Sequence, residues 1–252
     1  FTLDDFQNIQ HDNTSLPGKL LSRLAKDRRL DTLKVFLEWD GELTRDSDAA
    51  ALYAVWLQEL TVAFYQLPRL DSETANALKS LTSIAVMLQA LENPTEIWFG
   101  ENPQDSRDRL LRTTHRTACE RLLRLLGDPK GVRWGKLHTV VFHHPLENFG
   151  PEYAKTFNLG PVERSGDMNT PHNTKHDDKF QQVHGASYRQ VFDLTNWDKG
   201  RATSTPGQSG QPGSPHYGDL LPMWAEAQYF PLAYSRRKVD DVTAHRLTLA
   251  PR

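Results

Sequence analysis

The 252-residue sequence is short of several features that would define its class at once. It contains one cysteine, Cys119, which excludes an internal disulfide and favours a packed thiol. Its apolar runs are far shorter than the roughly 20 residues that a membrane-spanning helix needs. It has no initiator methionine and no basic segment followed by an apolar one, as a secretory leader has. We therefore expect Phe1 to be a cut end, made by proteolytic processing or by deliberate trimming, and the chain to be one piece of a larger protein.

An excess of charge of either sign is also missing. Thirty Lys and Arg residues stand against 32 Asp and Glu residues, which gives a net charge of -2 and a pI near 6.6. This balance supplies no electrostatic attraction to nucleic acid or to an anionic membrane, so we expect neither as a partner. Apolar residues make up 38% of the chain and mean hydropathy is -0.62. The composition fits a globular protein that leans polar.

Apolar residues in the first 130 positions recur at helical spacing. Thr2 and Asp5 form a start signal for one helix, and Ser15 or Thr14 can cap the next. Further helices are predicted at about 30–37, 46–67, 72–91 and 104–126. Six arginines follow one face of the last helix, but acidic residues alternate with them at about one turn. We interpret that face as self-paired and not as an anion site.

The pattern changes after Gly131. Runs rich in β-branched and aromatic residues predict strands at 138–143, 187–194 and 243–249, and a helix is predicted at 218–229. Loops dense in Gly, Pro, Asn and Asp occupy 145–179 and 203–217. The sequence thus predicts an α+β chain, helical over 1–130 and β-rich over 131–252, with the two parts together forming one structural unit.

Two segments carry residue types that could do chemistry. His172, His176 and His184 are ligand types for zinc, but they lie in a predicted loop without a second cluster, so exposed loop histidines are the simpler interpretation. The segment 206–210 (PGQSG) lacks the first glycine of a nucleophile elbow. Its glycines indicate backbone that turns sharply or approaches another chain closely.

Ten short motifs follow one another in the order found in a known family. They are LDDFQNIQHD (3–12), EWDG (38–41), WGKLH (134–138), HPL (144–146), GDMNT (166–170), GASYR (185–189), TPGQSG (205–210), SPHY (214–217), LLPMW (220–224) and AHRL (244–247). Each is weak alone, but their common order over nearly all 252 residues is strong evidence. The sequence resembles the penicillin acylase family of N-terminal-nucleophile hydrolases.

The resemblance implies a specific architecture and chemistry. Such enzymes are made as one precursor with a secretory signal, which implies a periplasmic or secreted protein. The precursor cleaves itself into a small subunit and a large subunit whose first residue is the nucleophilic serine. The free α-amine of that serine is the base, and an unperturbed α-amine titrates near pH 8. An asparagine side chain and a backbone N–H form the oxyanion hole. The fold is a four-layer αββα sandwich.

The motifs match the C-terminal portion of the large subunit. The resemblance therefore implies that the serine, the oxyanion asparagine and a substrate-orienting arginine lie on other segments, and that no catalytic residue belongs to this chain. The calcium ligands of some members also fall outside this stretch, so we expect no cofactor here. The implied partners are the small subunit and the N-terminal part of the large subunit. We also expect strands between 136 and 205 to expose apolar faces and unpaired edges.

Four residues in the most characteristic loops are candidates for a place beside the substrate: Asn169, Gln208, Ser209 and His216. The alternative is that such amides and hydroxyls satisfy backbone groups in buried loops. The expected activity is hydrolysis of an amide bond in N-acyl compounds, such as β-lactam side chains or acyl-homoserine lactones. The alternatives are a catalytically silent structural or binding fragment, and a metal-dependent hydrolase that uses His172, His176 and His184.

Overall fold

A computed structural model describes residues 1–30, 34–67, 71–81, 84–127 and 131–251. The chain divides into two compact units. Unit 1 combines Phe1–Asp12, Val141–Val162 and Gly185–Arg252, and unit 2 combines Asn13–Val140 and Glu163–His184. The expected division near residue 130, and the expectation that both parts form one structural unit, stay predictions.

Helices dominate the described residues. In chain order they are α1 (Leu3–Gln10), α2 (Leu16–Asp27), α3 (Lys34–Leu37), α4 (Asp48–Tyr65), α5 (Ser72–Leu81), α6 (Ile84–Glu92), α7 (Glu96–Phe99), α8 (Pro103–Leu126), α9 (Trp134–Leu137), α10 (Pro151–Phe157), α11 (Leu221–Ala225) and α12 (Arg236–Val242). The strands are β1 (Thr139–Phe142), β2 (Leu159–Glu163), β3 (Tyr188–Val191), β4 (Arg201–Ser204) and β5 (Phe230–Pro231). The mixed helical and sheet character expected from the sequence is confirmed.

Local capping begins the early helices where the sequence predicts. The Thr2 hydroxyl accepts from the Asp5 N–H, and the Asp5 carboxylate accepts from the Thr2 N–H at 2.6 Å, which completes a capping box for α1. The Ser15 hydroxyl accepts from the Gly18 N–H at 3.1 Å and caps α2. Each cap satisfies an otherwise unpaired donor of the first helical turn, so both predicted helix starts are confirmed.

The core of unit 2 is built on α4. Its N-terminal half is apolar on all faces and almost wholly buried, as expected for a helix enclosed by others. Helix α8 packs along it, and the indole N–H of Trp56 donates to the Thr114 hydroxyl at 3.0 Å. Helix α8 ends at Gly127, whose φ of +72° is left-handed and favours glycine. The long α4 and α8 confirm the two strongest helix predictions.

Strands β3, β4 and β5 form an antiparallel sheet in unit 1, and β1 pairs with β2 in a separate two-stranded sheet. Arg189 and Val191 on β3 are buried while Tyr188 and Gln190 are exposed, so the strand has two unlike faces, although the buried face includes an arginine. The outer edge of β3 is not bare, because the Gln10 side-chain amide donates to the Gln190 carbonyl at 3.1 Å. Apolar exposure does occur, with Tyr188 49% exposed. The four-layer sandwich stays a prediction.

Several predicted boundaries are wrong. The helix expected over 72–91 is not among them: α5 and α6 lie within it, residues 82 and 83 are outside the described part, and its continuity stays a prediction. The stretch 145–179 is not a loop throughout, because a 3-10 helix (Pro145–Phe149), α10 and β2 lie in it. The helix expected over 218–229 is shortened to α11. The final strand expected over 243–249 has no regular structure, since all its residues are exposed and alternation has no face to bury.

Candidate functional site

The glycine-rich loop of unit 1 folds back on its own backbone. A Cβ atom placed on Gly207 would lie 2.3 Å from the His216 carbonyl oxygen and 2.7 Å from that of Tyr217. The Ser209 N–H donates to the same His216 carbonyl at 2.9 Å. The close approach predicted from the glycines is therefore real, and the neighbour is a later part of this chain.

Three of the four candidate residues lie in this loop. Gln208 and His216 are exposed, and Ser209 is half-buried. The Ser209 hydroxyl accepts from the Gln211 N–H at 3.2 Å, whereas Nδ1 of His216 lies 2.9 Å from Oδ2 of Asp219. The hydroxyl and the imidazole thus hold different partners. The Ser209 hydroxyl accepts a hydrogen bond from a backbone N–H of its own loop, and this contact stabilises the loop.

The fourth candidate, Asn169, lies in unit 2 in the turn that begins at Gly166. Its backbone N–H donates to Oδ1 of Asp167 at 2.7 Å, and its side-chain amide lies 3.4 Å from Oδ2. Asp167 is 3% exposed, and burial raises the pKa of its carboxyl group. The fully buried Tyr53 hydroxyl accepts from Ser15 at 3.0 Å, and burial, with the Asp167 charge second, raises the Tyr53 pKa. Asn169 therefore helps to hold a buried carboxylate.

His172 is fully committed to protein contacts. Its Nδ1 lies 2.8 Å from the Asn13 side-chain oxygen, to which it donates, and its Nε2 accepts from Arg164 at 3.2 Å. Arg164 is 1% exposed and also donates from Nε to Gln182 at 3.2 Å. With both ring nitrogens engaged, His172 has no lone pair to offer a metal ion.

The other two predicted histidines are placed differently. Nδ1 of His176 donates to the Asp177 carbonyl at 2.8 Å, and His184 is exposed. Across the described ranges, no three or more His, Cys, Asp or Glu side chains are arranged to hold a metal ion. The three-histidine ligand set required by the metal-dependent alternative is not brought together.

His138, which was not a candidate from the sequence, has a pKa well below the ordinary value. His138 is buried, stacks on Trp134 at 4.6 Å, and donates from Nδ1 to the Phe180 carbonyl at 2.9 Å. Its Nε2 has no hydrogen-bond partner within the part of the chain that the structure describes. Burial lowers its pKa to about 3, so the ring is neutral at ordinary pH. The sequence feature that could have pointed to His138 is its place in the WGKLH motif, which also contains Trp134.

Unit 2 also contains a cavity of ≈ 680 Å³, which no sequence pattern predicted. Apolar atoms form most of its walls, although polar and charged side chains are the more numerous in the described lining. The lining comprises Ala54, Leu57, Gln58, Glu59, Thr61, Val62 and Tyr65 of α4, Ile84 and Met87 of α6, Arg121 of α8, and Asp167, Met168, Asn169, His176, Asp177 and Asp178 of the following loops. These described lining residues include no serine, cysteine or lysine. The described part of the lining therefore offers binding surface and no nucleophile of those three types.

The arginine face of α8 is only partly self-paired. Arg107 pairs with the adjacent Asp108 at 2.7 Å, and not with an acid one turn away as the sequence suggested. Arg121 instead pairs with Glu59 of α4 at 2.8 Å and lies over the Phe180 ring. The pairing across two helices was not predictable from α8 alone, since it depends on which face of α4 meets α8.

Known proteins resemble this chain in both sequence and fold. A sequence model of the family described as penicillin amidase matches residues 1–241. The chain is 26% identical to penicillin acylase 2 proenzyme of Pseudomonas sp. (strain SE83), over 86% of this chain and 28% of that protein. It is 25% identical to acyl-homoserine lactone acylase QuiP of Pseudomonas aeruginosa, over 92% of this chain and 30% of that protein.

The fold agrees with that of a solved acylase. Thermostable penicillin G acylase from Alcaligenes faecalis superposes with a TM-score of 0.54 and 16% identity, covering all of this chain and 50% of that one. The chain spans under a third of the length of the curated relatives it matches. None of the described helices combines the length and the apolarity required to cross a membrane. With the family match extending over 241 of 252 residues, the chain belongs to the penicillin amidase family.

Proposed function

We propose that this chain is the C-terminal portion of the large subunit of an acylase that hydrolyses the amide bond of N-acyl compounds. The observation that carries the proposal is the family match over residues 1–241. The relatives are named as acylases for penicillins and for acyl-homoserine lactones, and the chain accounts for 28% and 30% of the two quoted above. Both substrate classes are N-acyl amines.

In the proposed mechanism the nucleophile is a serine at the N-terminus of the large subunit, on another segment. Its hydroxyl attacks the acyl carbonyl while its own α-amine takes the proton, the amine product leaves, and water hydrolyses the acyl-enzyme. Donors on other segments stabilise the oxyanion. No cofactor is required in this chain, and any structural calcium of the full enzyme takes its ligands elsewhere.

This chain would supply framework around that chemistry. Two observations support this role: a buried polar cluster around Asp167 and a loop locked by the contact of Gly207 with residue 216. We propose that Gln208, Ser209, His216 and Asn169 border the substrate site without taking part in bond breaking. The exposed Gln208 and His216 are free of the protein interior and can meet another segment or the acyl amide. Secretion to the periplasm or outside the cell is proposed because precursors of this family carry a secretory signal.

The test is to produce the full precursor and assay the purified product against a penicillin and an N-acyl-homoserine lactone, following release of the free amine. We expect activity only when a second polypeptide with an N-terminal serine is present. Activity from this chain alone would refute the proposal. Loss of activity on chelation with recovery on adding zinc would favour the metal-dependent alternative.

A further inference from the structure

The cavity of unit 2 leaves apolar side chains uncovered. Val62 on α4 is 40% exposed and Met168, in the turn beside Asp167, is 57% exposed. They line the same space as the half-buried Leu57 and the buried Met87. Uncovered apolar surface around a concave space marks an interaction site more often than a random patch does.

Among the described lining residues of this cavity, negative charges outnumber positive ones. Glu59 is neutralised by Arg121 at 2.8 Å, which uses the one guanidinium among the described lining residues. Asp167, Asp177 and Asp178 remain. Asp177 is held in place because its Oδ1 accepts from the backbone N–H groups of Lys179 and Gln181, each at 2.9 Å. Asp178 is exposed at the rim.

These two properties restrict what can fill the space. A purely apolar occupant would cover the carboxylates without pairing them, which is costly for a charge removed from water. A polar or anionic occupant would leave the apolar walls uncovered and would be repelled. The complementary occupant has apolar side chains flanked by a lysine or an arginine.

We propose that the cavity receives a segment from the remainder of the same precursor, which inserts apolar side chains between α4 and α6 and sets a lysine or arginine beside Asp178. This inference rests on the proposed function, under which the remaining segments assemble with this chain. Relatives more than three times as long as the matched region offer ample sequence to supply such a segment. Pairing to backbone N–H groups keeps Asp177 in place to receive the cation.

The experiment uses the full processed enzyme. Zero-length coupling of carboxyl groups to amines, followed by mass spectrometry, should join Asp177 or Asp178 to a lysine outside this chain. The Asp178→Lys variant should weaken association of this chain with the remaining segments by about tenfold or more, because a cation then faces a cation. The matched control is Asp27→Lys, an exposed charge reversal at the C-terminal end of α2, which should leave association unchanged.

The inference is overturned if Asp178→Lys behaves like Asp27→Lys and no coupled peptide joins the cavity to another segment. The inference is also overturned if coupling joins the cavity only to a second copy of this chain. The same holds if the only occupant recovered from the cavity is a small amine. Acylase activity measured in the same samples separates the two proposals. If the enzyme is active but no coupled peptide forms and Asp178→Lys does not weaken association, the docking segment alone is refuted. If the coupled peptide forms in a correctly processed sample that is inactive, the proposed activity is refuted.

Discussion

Gly207 has no room for a side chain. Its Cβ position is 2.3 Å from the His216 carbonyl oxygen, and a backbone atom cannot move aside as a flexible side chain can. We expect Gly207→Ala to destabilise the protein by about 1–3 kcal/mol, the usual cost of overpacking. The matched control is Gly210→Ala three residues on, where nothing lies within 4 Å. Urea unfolding of both variants measures the difference, and equal stability would contradict the described loop.

His138 makes stability depend on pH. Its folded pKa of about 3 lies below the ordinary value of 6.5, so between these values the unfolded chain binds a proton that the folded chain does not. The free energy of unfolding should therefore rise with pH across this window, by up to about 1.4 kcal/mol per unit, and the stability is lost as pH falls. Asp167, whose pKa is raised, contributes with the opposite sign.

The measurement is urea unfolding at a series of pH values between about 3 and 6.5. His138→Gln should flatten the pH dependence, whereas His184→Gln, at an exposed position in the same unit, should leave it as it is. An unchanged slope in His138→Gln would show that another group causes it.

The buried side chain of Arg164 allows a third prediction about a single residue. Arg164→Met would leave the His172 Nε2 and the Gln182 side-chain oxygen without this donor in the interior, and we expect a loss of about 2–4 kcal/mol. Arg133→Met removes ion pairs with Asp46 and Glu163 at a side chain 31% exposed, and should cost about 1 kcal/mol or less. Thermal unfolding of both variants measures the two losses of stability. A larger loss for Arg133→Met than for Arg164→Met would contradict the burial of Arg164.

A buried hydrogen bond joins α4 to α8, from the Trp56 indole N–H to the Thr114 hydroxyl. Thr114→Val keeps the side-chain shape but leaves the buried indole N–H of Trp56 without its acceptor, so we expect a loss of about 1–3 kcal/mol. Thr117→Val on the same helix removes an exposed hydroxyl that bonds only the Thr113 carbonyl, and should be nearly neutral. Chemical unfolding compares the two, and similar losses would mean that the interhelical bond contributes little.

Elements with their own local signal were the predictable ones. Helices α1, α2, α4 and α8 carry caps and apolar stripes, and all four were expected from the sequence. Strands β2 and β4 were missed because each is four or five residues long and rich in Gly, Pro, Ser or Thr. Their pairing depends on partner strands elsewhere in the chain, which no local window contains.

The same reasoning explains how much of the site could be predicted. Motif order indicated the family and the loops that hold Asn169, Gln208, Ser209 and His216. The cavity was missed because it needs α4, α6 and α8 brought together with the loop at 167–178. The low pKa of His138 was missed for a similar reason, since burial beneath Trp134 and Phe180 is a property of packing and not of the segment.

At the scale of the whole molecule, α1 is a support for residues far along the chain. Arg201 donates to Asp4 and Gln7 at 2.6 Å each, and Tyr229 donates to Gln10 at 2.6 Å. Deleting residues 1–12 should therefore expose the 185–235 region to faster limited proteolysis. Deleting the exposed residues 244–252 serves as the control and should leave the cleavage rate unchanged. Equal rates for the two deletions would show that α1 is dispensable for unit 1.

Both units are also interleaved along the chain, since unit 1 takes its first 12 residues from one end and most of the rest after residue 184. On a ribosome, α1 emerges before its partner Gln190, which lies 180 residues further along the chain. At typical elongation rates that is a wait of roughly 10–40 s. The core of unit 2 can fold during this interval, while α1 lacks the residues of unit 1 on which it packs. Synthesis order thus makes unit 1 the later unit to be completed, because most of its residues follow residue 184.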